Sequence, residues 1–156
     1  MISVLFVCLG NICRSPMAEA VFRHYVQQEG LSDKIEVDSA GTYSGHAGEP
    51  PHRGTQQILK KHQIQYDGII SQPIQEKDLK RYHFIIVMDN QNFRDLSAIA
   101  GNQIETIYRF VDLIPDTSYP EVPDPYYTGD FQETYQLITA GCRNLLEKIK
   151  EEYKLN

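Results

Sequence analysis

The chain begins with a short run of mostly apolar residues, Ile2 to Cys8, which is rich in β-branched side chains. Such a run predicts a strand that is buried on both faces, as strands of parallel sheets are. Gly10 and Asn11 interrupt the run, and Ser15-Pro16 then predicts a helix with Ser15 near its N-cap and Pro16 at its first position. The chain is therefore expected to enter its fold as a strand, a tight loop and a helix.

Strand and helix patterns alternate along the rest of the sequence. The further predicted strands are Ile35 to Ala40, Phe84 to Met88 and Ile104 to Tyr108. The further predicted helices are His52 to His62, Gln75 to Arg81, Asn90 to Ala100 and Gly129 to Tyr153, with a long loop from Pro115 to Tyr127. This order predicts an α/β fold, a doubly wound, four-stranded parallel sheet with helices on both faces. The length of 156 residues predicts a single domain over residues 1–156.

The loop after the first strand carries a cysteine and, six positions later, an arginine. Ligands of doubly wound sheets bind beyond the carboxyl ends of the strands, where Cys8 is expected. The N–H groups of such a loop can form an anion-binding nest, and the following helix adds the positive end of its dipole. Arg14 would bind two phosphate oxygens at once, and these surroundings would favour the nucleophilic thiolate of Cys8. The predicted phosphate-binding loop comprises Leu9, Gly10, Asn11, Ile12, Cys13 and Ser15.

A phosphate ester also needs a proton donor for its leaving group. Asp124 is the candidate, because it lies between Pro123 and Pro125 in a loop that can hold its side chain outward. Tyr126 and Tyr127 follow directly and would line a cleft for an aromatic substrate. The pattern predicts that Asp124 acts as general acid beside the phosphate-binding loop.

Three segments together resemble the low-molecular-weight protein tyrosine phosphatase family: CLGNICRSPMAE from Cys8 to Glu19, DSAGT from Asp38 to Thr42, and DPYY from Asp124 to Tyr127. The resemblance covers nearly the whole chain. It implies hydrolysis of phosphotyrosine in proteins or peptides, without a metal or other cofactor. It also implies that Cys8 is the nucleophile, that Arg14 binds the phosphoryl group and that Asp124 is the general acid.

The same resemblance assigns supporting roles. It implies that Asn11, Ser15 and Ser39 form a hydrogen-bond network that holds the loop in shape, with Glu19 behind it. Cys13 matches a second cysteine that, in family members, can form a disulfide with the nucleophile under oxidation. We therefore expect peroxide to produce a reversible bond between Cys13 and the nucleophilic cysteine.

The sequence departs from the family at two positions. Gly68 stands near the place of a histidine that, in many members, pairs with the glutamate matching Glu19. Gly45 stands where many bacterial members have a tryptophan on the cleft wall. We expect Glu19 to have another partner and Tyr43, with Tyr126 or Tyr127, to compensate in gripping the substrate ring.

Composition narrows the remaining function classes. The net charge of −6 argues against nucleic acid or an anionic membrane surface as a partner. Three cysteines without a CxxC pair favour neither zinc nor a disulfide framework. The apolar start lacks a basic segment before it and is too short for a signal peptide. We expect a cytoplasmic protein that is a monomer or associates weakly with itself.

Three alternatives stay open at this level. A thioredoxin-coupled arsenate reductase would share the fold and the loop, but it needs further cysteines between Cys13 and Cys142, where the sequence has none. A phosphotyrosine-binding module without turnover would have lost one of the three catalytic residues, and all are present. A phosphoarginine phosphatase of a related branch would carry threonine in the loop, where this chain has Ile12, so phosphotyrosine is favoured.

Overall fold

Four parallel strands form the central sheet of the computed structural model, which describes residues 1–155, without the side chains of residues 102–104. The strands are β1 (Ile2–Cys8), β2 (Ile35–Gly41), β3 (Phe84–Val87) and β4 (Ile107–Arg109). Their order in the sheet is β2-β1-β3-β4, and each neighbouring pair is parallel. The chain therefore winds in two directions from β1, which confirms the predicted doubly wound sheet.

Helices follow the strands as the alternating pattern predicts. They are α1 (Arg14–Gln28), α2 (Arg53–Lys61), α3 (Asp78–Arg81), α4 (Asn90–Ala100), α5 (Pro125–Thr128) and α6 (Phe131–Tyr153), with 3₁₀ helices at Gly101–Thr106 and Phe110–Leu113. None of the helices within residues 1–155 has the length and apolarity that a membrane span requires.

Side chains of β1 alternate between two apolar cores, one on each face of the sheet. On one face Phe6 packs against α1 and α6, with its ring centroid 5.8 Å from that of Phe22. On the other face Leu5 and Val7 belong to a second cluster with Leu79 of α3 and Leu96 of α4. These two layers fix β1 at the centre of the sheet, so its carboxyl end has a defined position between β2 and β3.

Some predicted boundaries differ from those of the structure. The first helix begins at Arg14 with Cys13 as N-cap, and Ser15 is not the cap because its hydroxyl bonds inward to other side chains. The last strand begins at Ile107, since the residues before it form a 3₁₀ helix. The predicted loop from Pro115 to Tyr127 also contains the start of α5, whose first turn is capped by the carboxylate of Asp124.

Candidate active site

The sulfur of Cys8 lies at the carboxyl end of β1, at the base of a loop that curls around it. The backbone N–H of Asn11 points at Sγ from 3.3 Å, and Oγ of Ser15 lies 3.0 Å from the same atom. Cys8 is 3% exposed and lines the floor of a cleft. A thiolate here would receive one hydrogen bond from the backbone and one from a hydroxyl.

Asn11 holds the loop in this curled shape. Its backbone has φ of 55°, in the left-handed region that asparagine adopts more readily than most residues. Its Nδ2 donates to Oγ of Ser15 at 2.7 Å and to Oγ of Ser39 at 2.9 Å, while its Oδ1 accepts from the N–H of Gln72 at 2.9 Å. The side chain thus uses both donors and its acceptor to tie the loop to β2 and to the segment before α3.

A close approach between β2 and the loop requires glycine at position 41. A Cβ on Gly41 would lie 2.8 Å from the carbonyl oxygen of Leu9 and 3.2 Å from the backbone nitrogen of Asn11. Both are backbone atoms, which cannot rotate away as a side chain can. The loop therefore rests directly on the end of β2.

Glu19 reaches this network from α1. Ser39 donates its hydroxyl hydrogen to Oε1 of Glu19 at 2.6 Å. Burial raises the pKa of Glu19 to about 7, partly offset by the hydrogen bond from Ser39. Ser39 is thus the partner that Glu19 was expected to have in place of a histidine, and Gly68 itself lies in a turn with φ of 79°.

Arg14 is 2% exposed, and its guanidinium joins its own loop to two other segments of the chain. Its Nη1 donates to Oδ2 of Asp89 at 2.8 Å and to the carbonyl oxygen of Val122 at 3.0 Å. Its Nη2 donates to Oδ2 of Asp124 at 3.2 Å. Burial opposes the charge, but the nearby Cys8, Asp124 and Asp89 together raise the pKa of Arg14, so it stays charged.

One nitrogen of this guanidinium is available to bind an anion. Nε of Arg14 is buried and has no hydrogen-bond partner among the protein groups of residues 1–155. Nε and Nη2 form the side fork that binds two oxygens of a phosphate, whereas Nη1 is already held from the other side. An oxyanion bound by this fork would displace Asp124 from Nη2.

Asp124 is anchored at both carboxylate oxygens. Oδ1 accepts from the backbone N–H of Tyr126 at 3.1 Å, which caps α5, and Oδ2 contacts Arg14. Its side chain is 21% exposed, so it faces the cleft and is still open to solvent. The carboxylate therefore lies at the cleft and beside the guanidinium of Arg14.

The cleft has a volume of about 350 Å³ and combines the loop at its base with aromatic walls. It is lined by Cys8, Leu9, Gly10, Ile12, Cys13, Tyr43, His46, Asp124, Tyr126 and Tyr127. All the aromatic residues predicted for the cleft are brought together here. A Cβ on Gly45 would lie 2.2 Å from the ring of Tyr43, so Tyr43 occupies the space into which a side chain at position 45 would extend.

Cys13 has a different environment from the nucleophile candidate. Its thiol is buried, and burial together with the charges of Cys8 and Asp124 strongly raises its pKa, so it is protonated. The carbonyl of Cys13 accepts a hydrogen bond from the hydroxyl of Thr55 at 3.1 Å, which ties the loop to α2. The cysteines of the described chain are all free thiols.

Sequence reasoning missed three contributors to the site. Asp89 follows β3, the neighbour of β1, and a search for polar residues at the carboxyl ends of adjacent strands would have found it. His46 lines the cleft, and Gln72 anchors the loop through its backbone N–H; neither has a signal in the sequence alone. Within residues 1–155 no three histidine, cysteine or carboxylate side chains are arranged to hold a metal ion.

Known proteins are similar to this chain over nearly its whole length. The sequence profile of the family described as low molecular weight phosphotyrosine protein phosphatase matches residues 3–155. The low molecular weight protein-tyrosine-phosphatase YfkJ of Bacillus subtilis is 50% identical over 99% of this chain and 100% of its own length. The corresponding protein PtpA of Staphylococcus epidermidis is 42% identical over 99% of this chain and 98% of its own length.

Solved structures agree with the sequence comparison. The crystal structure of YfkJ matches 97% of this chain and 96% of its own with a TM-score of 0.95. The drosophila arginine phosphatase DARP, at 32% identity, matches 94% of this chain and 97% of its own with a TM-score of 0.86. The profile and these relatives span nearly every residue of the chain, so the similarity extends over the whole fold. The chain belongs to the low molecular weight phosphotyrosine protein phosphatase family.

Proposed function

We propose that this chain hydrolyses phosphotyrosine in proteins or peptides through a phosphocysteine intermediate on Cys8. The observation that supports the proposal best is the side fork of the buried Arg14, whose Nε is unpaired, whose Nη2 contacts Asp124 and whose charge interacts with that of Cys8. A phosphate held by this fork and by the N–H groups of the loop would have its phosphorus in front of the sulfur. Such a site positions the reactants and stabilises the charge of the transferring group.

In the first step the thiolate of Cys8 attacks phosphorus, so that the S–P bond forms as the bond to the tyrosine oxygen breaks. Asp124 gives its proton to that oxygen, and tyrosine leaves as a neutral phenol. The loop N–H groups and Arg14 hold the three equatorial oxygens throughout. Ser15, 3.0 Å from the sulfur, donates its hydroxyl hydrogen to the thiolate.

In the second step a water molecule attacks the phosphocysteine. The Asp124 carboxylate accepts a proton from the water, and the S–P bond breaks. Hydrogen phosphate is released, with the Cys8 thiolate and the acid form of Asp124 restored. The hydrogen bonds from Asn11 and Ser15 stabilise the sulfur as a leaving group, and no external reactant other than water is consumed.

Binding of the phosphate would itself move Asp124 into its role. Nη2 of Arg14 now contacts the carboxylate at 3.2 Å, and a phosphate oxygen on the same atom would replace that contact. The second carboxylate oxygen stays fixed by the N–H of Tyr126. The freed oxygen then faces the ester oxygen, where a proton is needed.

The cleft favours an aryl ester. Tyr43, Tyr126 and Tyr127 form its walls, and Ile12 adds an apolar contact near the base. A flat phenyl ring matches these surfaces, whereas a guanidinium phosphate would need polar partners on the walls. We therefore propose phosphotyrosine as the substrate rather than phosphoarginine, although the arginine phosphatase DARP has a similar fold.

Kinetics with aryl phosphates tests the mechanism. Cys8→Ser should be inactive, and Asp124→Asn should lose about a hundredfold or more in kcat/KM for phenyl phosphate. The loss should be much smaller for 2,4-dinitrophenyl phosphate, whose acidic phenol leaves without protonation. Activity of Cys8→Ser equal to wild type would end the proposal.

A parallel assay with phosphotyrosine and phosphoarginine peptides of the same sequence tests specificity. Faster release of phosphate from the phosphotyrosine peptide is expected, and the reverse order would assign the chain to phosphoarginine. We also propose that residues 1–156 act as one phosphatase domain in the cytoplasm, as a monomer or a weak self-associating species, without nucleic acid or membrane as partner. Gel filtration coupled to light scattering would measure the oligomeric state.

A further inference from the structure

His52 connects the two halves of the active site. Its backbone N–H donates to the carbonyl oxygen of Ile12, in the phosphate-binding loop, at 2.6 Å. Its ring lies against two aromatic rings from the other side of the cleft, which follow Asp124 in the chain. The ring centroid is 5.2 Å from that of Phe131 in a stacked arrangement and 5.9 Å from that of Tyr126, edge to face.

The contact with Tyr126 leads directly to the candidate general acid. The backbone N–H of Tyr126 binds Oδ1 of Asp124, so the position of Tyr126 determines where the carboxylate points. Phe131 begins α6, only a few residues further on. The ring of His52 therefore contacts both ends of the segment that directly follows the acid, while its backbone holds the loop that carries the nucleophile.

The imidazole is itself fixed by its role at the start of α2. Nδ1 accepts the backbone N–H of Gly54 at 3.0 Å, which makes His52 the N-cap and requires an unprotonated Nδ1. Gly54 also permits the packing, because a Cβ there would lie 2.4 Å from the ring of Phe131. The orientation of the histidine ring is thus set on one side by the cap and on the other by a flat aromatic surface.

We infer that His52 is a positioning residue, which holds Asp124 at the correct place relative to the phosphate-binding loop through its ring contacts with Tyr126 and Phe131. The inference deepens the proposed function and rests on it, since it assumes that Asp124 protonates the leaving group. It gives His52 no contact with the substrate. Its effect on the rate passes through the geometry of the acid alone.

Two substitutions distinguish the contribution of the His52 ring contacts from that of its helix cap. His52→Asn keeps a side-chain oxygen that can cap α2 but removes the aromatic surface, whereas His52→Phe keeps a ring and removes the cap. A mispositioned acid costs rate only where the leaving group needs a proton. The informative quantity is therefore kcat/KM across aryl phosphates of graded phenol acidity, since kcat/KM includes the departure of the phenol.

For His52→Asn we expect a loss of about tenfold on phenyl phosphate and less than about twofold on 2,4-dinitrophenyl phosphate. Inhibition by inorganic phosphate should be unchanged, because the loop itself stays intact. His52→Phe should follow wild type across the same series, although it melts at a lower temperature. Gly54→Ala should displace Phe131 while leaving His52 in the sequence. It should show the same larger loss of kcat/KM on phenyl phosphate than on 2,4-dinitrophenyl phosphate as His52→Asn.

His62 provides the matched control. It stacks on Tyr135 at 4.2 Å at the other end of α2, so His62→Ala removes a similar contact between α2 and α6 far from the cleft. This variant should keep the wild-type dependence on phenol acidity. The inference is overturned if His52→Asn and Gly54→Ala lose rate equally on all esters or on none. The proposed function would instead be overturned if Asp124→Asn lost kcat/KM equally on phenyl phosphate and on 2,4-dinitrophenyl phosphate.

Discussion

The hydroxyl of Ser39 donates a hydrogen bond of 2.6 Å to the buried carboxyl of Glu19. The same oxygen accepts from Nδ2 of Asn11, so the strength of one bond affects the other. Hydrogen bonds in such a chain polarise one another in a low-dielectric interior. The charge on Glu19 is thereby linked to the shape of the phosphate-binding loop.

Glu19 should make stability depend on pH. Its pKa is raised from 4.5 to about 7 in the folded protein, so between these values the folded state binds more protons than the unfolded state. This contribution is fully present below about pH 4.5 and is lost as the pH rises through about 7. Its size is about 3 kcal/mol if the whole shift is expressed.

Glu19→Gln should remove that pH dependence, because a neutral amide can still accept the hydrogen from Ser39. Denaturant unfolding at pH 5 and pH 8 would show a smaller decrease for the variant than for wild type. Glu76→Gln, at an exposed position, serves as the control and should leave the wild-type difference in place. Parallel pH curves for wild type and Glu19→Gln would contradict the prediction.

Asp89 should be required for tight binding of oxyanions. Asp89→Asn keeps an oxygen that can cap α4 but removes the charge that faces Nη1 of Arg14 at 2.8 Å. A buried guanidinium that loses a charged partner is destabilised by up to about 3 kcal/mol, and its orientation becomes less fixed. We expect weaker inhibition by inorganic phosphate and lower kcat/KM.

The control for this experiment lies on the same helix. Asp95→Asn alters an exposed carboxylate of α4 that accepts from Gln91, with no contact to the site. Phosphate inhibition in this variant should equal that of wild type. An Asp89→Asn enzyme with wild-type phosphate affinity would show that the backbone carbonyl of Val122 is sufficient to orient Arg14.

Gly41→Ala should disturb the phosphate-binding loop without touching the substrate. The added methyl group would meet the carbonyl oxygen of Leu9 at 2.8 Å, and the backbone must move to relieve the overlap. Overpacking of this kind costs about 1–3 kcal/mol. Thermal unfolding and phosphate inhibition should both be weakened, and a variant with unchanged values for both would refute the close approach.

Peroxide should convert the enzyme reversibly into an inactive disulfide form. Oxidation of the Cys8 thiolate gives a sulfenic acid, which the Cys13 sulfur attacks with release of water to form the bond. The raised pKa of Cys13 keeps it protonated at rest, so Cys8 is oxidised first. A thiol reductant should restore activity, and mass spectrometry of the oxidised protein should show the Cys8–Cys13 peptide. Detection of irreversible Cys8 sulfinate alone would reject the prediction.

Much of the site could be predicted because it lies in short continuous segments. The functional groups of the loop lie within residues 8–15, and those of the second segment lie within residues 124–127. Both segments line one cleft in the structure. The sequence predicts Ser15 both in the hydrogen-bond network of the loop and near the N-cap of the first helix. Only the first prediction agrees with the structure, because helix propensity does not indicate that Asn11 binds the Ser15 hydroxyl.

The residues that the sequence did not indicate contact the site from positions far away in the chain, and local sequence patterns do not predict such contacts. Asp89 meets Arg14 only because β3 lies next to β1, and Gln72 meets Asn11 through a backbone N–H that any residue could supply. The sequence places His52 at the start of a predicted helix and indicates no role for it in the site. Its contacts with Tyr126 and Phe131 arise from the packing of α2 beside α6, which appears only in three dimensions.

Arg14 takes its partners from residues 75 and 110 positions further along the chain. A ribosome that adds about 5–20 residues per second needs about 5 to 20 s to reach Asp124 after it has added Arg14. During that interval the nascent polypeptide has its cysteine and arginine but not yet both carboxylates that contact the arginine. Phosphatase activity is therefore acquired late in synthesis, and a prematurely terminated product would carry the signature loop without being able to use it.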